Sequence, residues 1–197
     1  MADAVRSVLL VSNQRKFVHC WSPDGRCILY ATLAPATNRP DIYALLLGDS
    51  IRTAPVLTGP FIETQAAISP DGKWLAFMSD ESGQPEIYVQ SFPGPGSQWR
   101  VSTTGGVEPA WRGDGQELYY VSLDSKMMAV GFTPGPRPGI SVPRKLFDSP
   151  LGPPVRTRNR YVVTRDGQRF LFIAPFGEER VGATTVVLDW LGRLEKR

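Results

Sequence analysis

The aspartates are the first residues of this sequence to consider for chemistry. Asp24, Asp71, Asp114 and Asp166 are each followed by a glycine. Four carboxylates gathered in one place could bind a metal ion or act as an acid and a base. Each lies in the same short motif of a different segment, so we predict that the fold keeps them apart and uses them as turn residues. The sequence therefore predicts no metal site, no cofactor and no catalytic residue.

His19 is the single histidine of the sequence, and it could serve as the base of a serine nucleophile. Such a pair needs the serine on a sharp turn, and the sequence contains no Gly-x-Ser-x-Gly motif. His19 lies instead in a predicted strand, one residue before Cys20. We therefore predict a partly buried or edge histidine with a structural role.

The two cysteines, Cys20 and Cys27, are too few for a disulfide framework or for a zinc site made of protein ligands alone. If residues 23–25 form a three-residue bulged loop, Trp21 faces Cys27 across the hairpin. Cys20 then points to the face of the sheet opposite to Cys27, which excludes a disulfide. We expect two free thiols.

Aromatic side chains are the remaining candidates for a binding surface. Three tryptophans recur beside the predicted turns, which favours core packing over a stacking platform: Trp21, Trp74 and Trp111. Trp99 follows a Gly-rich loop, and we predict it to be the most exposed tryptophan. A rim loop of the second repeat could also carry a ligand, through Glu81, Gln84, Glu86 and Tyr88.

Composition and charge exclude several classes of protein. The net charge is +3 and the apolar fraction is 42%, but basic residues alternate with carboxylates, so we predict no nucleic-acid partner. The densest basic stretch, at Arg156, Arg158 and Arg160, is predicted to be a solvated loop that enters a strand. No segment has the length and apolarity of a membrane span, and the first residues lack the pattern of a secretory signal.

A repeated motif organises the whole chain. Asp-Gly turns flanked by apolar runs occur four times, at residues 21–26, 68–73, 111–116 and 163–168, and successive turn aspartates are 47, 43 and 52 residues apart. This period is typical of one four-stranded propeller blade. The Gly and Pro residues, 19 and 18 of 197, argue against long helices. The pattern predicts an all-β propeller of about four antiparallel blades.

The predicted blades form a single, partial domain over residues 1–197. Their ranges are 16–58 for the first, 63–102 for the second, 106–147 for the third and 160–190 for the fourth, which lacks its outer strand. Residues 7–12 are predicted to be an orphan outer strand. Either four blades close on themselves or the chain is the tail of a larger ring, and we favour the larger ring. Open blade faces would allow self-association, including a ring made of two copies.

The repeats resemble a known family. Trp21-Ser-Pro-Asp-Gly-Arg and Ile68-Ser-Pro-Asp-Gly-Lys, with Glu86-Ile-Tyr-Val-Gln-Ser-Phe and Thr185-Val-Val-Leu-Asp-Trp, resemble the WD-like repeats of TolB-type propellers. More narrowly, they are similar to the C-terminal propeller of bacterial serine/threonine protein kinases. The resemblance extends from about Val8 to Arg197, and it implies an extracytoplasmic or periplasmic location. No glycine-rich phosphate loop, His-Arg-Asp or Asp-Phe-Gly motif of the kinase occurs here.

The function expected from these patterns is binding without catalysis. We predict an interaction or sensory module that binds a protein, a peptide or a small ligand on a loop rim or in the central channel. The alternative is the accessory propeller of a prolyl-oligopeptidase-type hydrolase whose catalytic domain is absent from this sequence. A partner protein or peptide is expected in both cases.

Overall fold

The computed structural model of the chain describes residues 8–34, 39–153, 155 and 158–173, and every regular element in this part is a β-strand. The first two sheets are antiparallel meanders of four strands that pair in chain order. Blade 1 contains β1 (Lys16–Trp21), β2 (Cys27–Leu33), β3 (Pro40–Leu46) and β4 (Arg52–Leu57). Blade 2 contains β5 (Glu63–Ile68), β6 (Trp74–Ser79), β7 (Glu86–Ser91) and β8 (Gln98–Arg100).

Blades 3 and 4 continue the same order. Blade 3 contains β9 (Val107–Trp111), β10 (Glu117–Val121), β11 (Lys126–Thr133), β12 (Gly139–Ile140) and β13 (Arg144–Asp148), and the outer edge of β11 pairs with both β12 and β13. Blade 4 is described as two paired strands, β14 (Tyr161–Val163) and β15 (Phe170–Phe172). The rest of the predicted range of this blade, residues 174–190, lies outside the described residues. The all-β architecture with four-stranded antiparallel blades is as the repeats predicted.

The N-terminal segment differs from its prediction. Residues 8–12, expected with residue 7 to form an orphan outer strand, adopt no strand, and Val8 and Val11 are exposed. An outer strand is held by its ladder to the third strand of a blade, so a short segment without such a ladder has little to fix it. The outer strand of blade 1 begins at Arg52 and contains Pro55, which an edge strand tolerates.

The Asp-Gly turns are built as the sequence predicts. In the first turn, the Ser22 hydroxyl and the Arg26 N–H donate to Asp24 Oδ1 at 2.6 and 3.0 Å. The glycine that follows, Gly25, has a φ of 71°, a conformation that favours a residue without Cβ. The same glycine position has a φ between 72° and 75° in the other three turns, at Gly72, Gly115 and Gly167.

The register of the first hairpin is one residue away from the prediction. Trp21 pairs with Ile28 and Cys20 with Leu29, because the Ser22 N–H donates to the Cys27 carbonyl across a four-residue turn. Cys20 and Cys27 therefore point to the same face, and the prediction of opposite faces was wrong. Both cysteines are free, and their diagonal placement across the ladder is wider than a disulfide spans.

The blades pack face to face through two apolar clusters. The cluster between blades 1 and 2 joins Leu29 and Ile42 to Leu75 and Phe77, all fully buried. The larger cluster extends from blade 2 through blade 3 to the two strands of blade 4. The first strands of successive blades contact each other, β1 with β5, β5 with β9 and β9 with β14. These inner strands, nearest to the propeller axis, and the turn edges between blades carry the polar groups considered next.

Candidate functional site

The inner strands of blades 1, 2 and 3 share a bulge that frees backbone groups from their own sheet. Register shifts interrupt the ladders of β1 between Val18 and Cys20 and of β5 between Thr64 and Ala67, and a third interrupts the pairing of β9 with β10. Gln65 and Glu108 adopt positive φ values of 57° and 60° at these bulges. A bulge leaves backbone groups without ladder partners, and buried N–H groups must find other acceptors.

Side chains of the preceding blade supply those acceptors. His19 Nδ1 of blade 1 accepts the N–H of Ala66 in blade 2 at 3.0 Å. Gln65 Oε1 of blade 2 accepts the N–H of Glu108 in blade 3 at 3.0 Å, and Glu108 Oε2 accepts the N–H of Arg160 before β14 at 2.6 Å. We call His19, Gln65, Glu108 and Arg160 the inner-strand chain. It joins each blade to the next one.

The last link of the inner-strand chain is an ion pair. Arg160 donates to Glu108 Oε1 through Nε at 2.8 Å and lies 2.7 Å away through Nη2, and the Glu108 side chain is fully buried. Burial raises the pKa of the Glu108 carboxyl, and the bonds from Arg160 oppose that shift. Tyr161, also buried, donates its hydroxyl to the Glu108 carbonyl at 2.9 Å. The pair therefore serves the packing of blade 3 against blade 4.

His19 has the structural role that was predicted for it. Burial lowers the pKa of its imidazole to about 4, so the ring is neutral at physiological pH. Nδ1 accepts the Ala66 N–H at 3.0 Å, and Nε2 lies 3.3 Å from the Gln65 backbone nitrogen and 3.4 Å from the Thr64 hydroxyl, so both ring nitrogens face groups of blade 2. A ring held in this way is not positioned to deprotonate a nucleophile.

The segment before β14 crosses toward blade 2. Gln65 Nε2 donates to the carbonyls of Val155 and Arg158 at 2.7 and 3.0 Å, so this segment lies against the inner strands. Arg158 is exposed, as predicted for a solvated loop, whereas Arg160 is engaged with Glu108. Arg156 lies outside the described residues.

On the turn edge, a cleft opens between each pair of successive blades. The cleft between blades 1 and 2 encloses about 340 Å³ and is mostly apolar. The cleft between blades 2 and 3 is filled by indole rings, since Phe132 packs edge-on to Trp74 at 5.1 Å and to Trp111 at 5.0 Å. The cleft between blades 3 and 4 is open, and most of the residues that line it have charged or polar side chains: Gly113, Asp114, Thr164, Arg165, Asp166 and Arg169.

Two buried acids lie where blade 1 meets the start of blade 2. Asp41 Oδ1 and Glu63 Oε2 are buried and accept no hydrogen bond from the described residues. Burial, together with the charge of Asp41, raises the pKa of the Glu63 carboxyl to about 7. Burial also raises the pKa of Asp41. These acids were missed by the sequence analysis, because a carboxylate at the start of an apolar strand looks like an ordinary solvated strand end.

The turn aspartates are separated, as predicted, with one in each Asp-Gly turn. Asp24 and its three equivalents each accept from the turn that contains them. Within the described residues, no three His, Cys, Asp or Glu side chains are grouped so that they could hold a metal ion. The aspartates therefore act as turn residues.

The aromatic predictions are confirmed in part. Trp74 and Trp111 are buried core residues, as expected. Trp21 is 60% exposed, so its assignment to the core was wrong. Trp99 was expected to be the most exposed tryptophan and is instead half-buried, with its ring packed edge-on against Trp74 at 5.9 Å. Both differences arise because blade 1 has no described blade on its outer face, whereas Trp99 has blade 3 beside it.

The proposed rim of blade 2 is not a single surface. Glu86 is buried and its carboxylate accepts from Ser102, from Gln84 at 2.7 Å and from the Gly105 N–H at 3.0 Å. Tyr88 is buried and stacks on Phe77. The other two rim candidates, Glu81 and Gln84, are exposed.

The fold and its repeated inter-blade contacts define a β-propeller of the TolB type. The family of the TolB β-propeller domain (PD40) matches residues 4–134, and the chain belongs to this family. An uncharacterised protein of Agrobacterium fabrum, Atu1656, is 28% identical over 119 residues, which are 59% of this chain and 39% of that protein.

Solved structures agree on the fold. TolB from Acinetobacter baumannii has a TM-score of 0.66 at 22% identity, over 88% of this chain and 41% of TolB. A puromycin-hydrolysing peptidase of Mycobacterium tuberculosis has a TM-score of 0.57 at 21% identity, over 81% of this chain and 28% of the peptidase. The chain thus spans about two-fifths of the length of TolB and of Atu1656. Among the residues that the structure describes, no helix is long and apolar enough to cross a membrane.

The buried ion pair of the inner-strand chain predicts a large stability effect. Replacing Glu108 by Gln leaves the buried Arg160 charge without its partner, which costs about 3–5 kcal/mol in the free energy of unfolding. The Arg144 to Glu117 pair, 2.6 Å apart with the arginine side chain 58% exposed, is the control. Arg144→Gln should cost less than about 1 kcal/mol. Urea unfolding followed by circular dichroism measures both, and equal costs for the two variants would contradict the prediction.

The pKa values of Glu63 and His19 predict opposite pH dependences. The folded state raises the pKa of Glu63 from 4.5 to about 7, so its stabilising contribution is complete below pH 4.5 and is lost as the pH rises through 7. Glu63→Gln should therefore gain stability relative to the natural chain between these pH values.

His19, with its pKa lowered from 6.5 to about 4, loses its stabilising contribution as the pH falls through that range, and His19→Gln should remove this loss. Urea midpoints from pH 4 to 8 test both, and differences that do not change with pH would refute the assignment.

Proposed function

We propose that this chain is a non-catalytic β-propeller module that binds a protein or peptide and acts as the sensory or interaction part of a longer protein. The observation that carries the proposal is the TolB-type fold, in which the polar side chains of the inner strands already bind one another. As the longer protein we propose a kinase-linked one, because the repeats were expected to be similar to the propellers of bacterial serine/threonine kinases. In such a parent, as in a TolB-like protein, the propeller would be extracytoplasmic or periplasmic.

The use of the titratable groups supports binding over chemistry. The turn aspartates hold their own turns, and the neutral His19 accepts a backbone N–H from the next blade. Glu108 is neutralised by Arg160. The regions that remain available to a partner are the clefts between turns and the exposed part of the segment before β14.

The alternative is an accessory role in a hydrolase. The fold likeness to the mycobacterial peptidase makes this class relevant, although a likeness at 21% identity concerns the fold alone. A propeller in that position would select or admit a peptide for a catalytic domain elsewhere. The two roles share a peptide ligand and differ in whether the ligand is later cleaved.

A selection of displayed random peptides on the immobilised chain tests the proposal. We expect specific peptides to be enriched, and synthetic copies to bind reversibly and to keep their mass after prolonged incubation with the chain. Mass spectrometry of the bound and free peptide provides the second measurement. Cleavage of the peptides by the purified chain, or the absence of any enriched peptide, would overturn the proposed function.

Self-association through blade 1 is a second proposal, and the occupant is a second copy of this chain. The outer face of blade 1 exposes Val18 and Trp21 beside the stacked rings of Tyr30 and Tyr43. In blade 2 the equivalent face is buried against blade 1, with Ile68, Phe77 and Tyr88 in the shared cluster. A face of this composition is therefore suited to pack on another blade, and a second copy supplies one.

Light scattering over a range of concentrations tests this association. The natural chain should exceed its monomer mass of 21.7 kDa, and Trp21→Glu should restore the monomer, because a charge at the centre of an apolar interface must be desolvated. Val142→Glu, at a side chain 86% exposed and far from this face in the chain, is the matched control and should behave as the natural chain does. A natural chain that stays monomeric at high concentration would refute the proposal.

A further inference from the structure

The turn-edge clefts differ at equivalent positions of the repeat. The first residue of the second strand in each blade is Cys27, Trp74 or Glu117, and the last residue of the first strand in the following blade is Ile68, Trp111 or Val163. In the cleft between blades 1 and 2, Cys27 lies with Ile68. In the cleft between blades 2 and 3, Trp74 lies with Trp111. Two small or medium side chains thus stand where the neighbouring cleft has two indoles.

A phenylalanine occupies the same place in both clefts. The N–H of Phe92 donates to the Lys73 carbonyl at 2.7 Å, and the N–H of Phe132 donates to the Gln116 carbonyl at 2.8 Å, each carbonyl being two residues after a turn aspartate. The two rings are therefore structural equivalents. Phe132 packs edge-on against Trp74 and Trp111, whereas Phe92 lines an open pocket.

We propose that the cleft between blades 1 and 2 is a binding pocket for one aromatic side chain, of indole size, on a peptide or protein partner. This proposal rests on the proposed function and names its ligand. Its lining includes Cys27, Leu46, Ile68 and Phe92, together with Asp24 and Asp71 of the two adjoining turns.

The neighbouring cleft shows which occupant fits. There the two indoles each form an edge-to-face pair with Phe132, with ring centroids 5.0 and 5.1 Å away. Aromatic pairs favour this edge-to-face arrangement. A ring that enters the first cleft would find Phe92 at the same place, with Cys27 and Ile68 making room for it. The volume of about 340 Å³ is within the range of about 300–1,000 Å³ that small-molecule pockets have.

The residues around the pocket favour an apolar ligand whose shape fits the cavity. Beneath it, Leu29 and Leu75 are fully buried, so the blade interface below the pocket is already closed. At the rim, the Ser22 hydroxyl holds the pKa of Asp24 below its usual range, so this carboxylate is ionised at neutral pH. Asp24 and Asp71 are accompanied by Arg26 and Lys73 in the same turns. Because these charges balance, an apolar ring is preferred over a charged group.

Indole is the probe for the first experiment, which uses the full chain. We expect millimolar indole to raise the thermal unfolding temperature and to slow alkylation of Cys27, which lines the pocket. Cys20 lies outside the lining. A Cys20→Ser background confines the alkylation signal to Cys27. If indole changes neither the unfolding temperature nor the alkylation rate, the proposal is overturned.

The matched variant is one in which the pocket is filled by larger side chains. Cys27→Trp combined with Ile68→Trp copies the neighbouring cleft and should weaken indole binding by at least about tenfold, equivalent to about 1.4 kcal/mol. Val142→Trp adds an indole on an exposed site and should leave binding unchanged. If the double variant does not fold, as judged by circular dichroism, Cys27→Met fills less of the pocket and should weaken binding to a smaller extent.

Displayed peptides then separate this inference from the proposed function. We expect the enriched peptides to contain a tryptophan, phenylalanine or tyrosine, to compete with indole and to lose affinity for the filled variant. Peptides that bind the natural and filled chains equally would overturn the aromatic pocket and leave the proposed function intact. If no peptide is enriched, the proposed function fails and the peptide ligand with it, even where indole binds.

Discussion

The arrangement of the blades depends on one requirement, that the N–H groups freed by the inner-strand bulges find acceptors in a dry environment. The acceptors come from the preceding blade: His19 for Ala66 and Gln65 for Glu108. Glu108 extends the series to blade 4, where it accepts the N–H of Arg160 just before β14. An unsatisfied buried N–H costs about 1–3 kcal/mol, so each bulge fixes how closely its blade approaches the one before it. Apolar packing between blade faces is not directional. The hydrogen bonds of the inner-strand chain are directional, so they fix the orientation of one blade against the next.

The turns impose a second regularity at the opposite end of the inner strands. Because each Asp-Gly turn binds its own aspartate, the turn edges of the blades present nearly the same backbone. Differences between clefts then depend on the side chains that flank each turn. Cys27 with Ile68, and Trp74 with Trp111, give an open and a filled cleft on one scaffold. Function in such a repeat resides in these substitutions, since the fold alone is shared by proteins of different activity.

The strands and turns within each blade were predictable from the sequence, whereas the hydrogen bonds between blades were missed. β1 and β5 begin at Lys16 and Glu63, the first residues predicted for blades 1 and 2, and each ends where its Asp-Gly motif begins. The hairpin register failed by one residue, because loop length was inferred without the Ser22 to Cys27 bond, and this error reversed the face of Cys20. The inner-strand chain was missed because its bonds join residues that are 43 to 52 positions apart in the sequence. The polar residues at equivalent places in apolar strands, Gln65, Glu108 and Arg160, were the available signal.

The open cleft between blades 1 and 2, beside the filled cleft between blades 2 and 3, has a physical cost that the inner-strand chain helps to offset. Two indoles bury far more apolar area than Cys27 and Ile68 do, and burial contributes roughly 25 cal/mol per Å². The first interface therefore has less apolar packing on its turn edge than the second. Blades 1 and 2 remain joined by the His19 to Ala66 bond and by the cluster around Leu29 and Leu75. Because these contacts hold the two blades without the turn edge, the cleft between them is free to bind a partner.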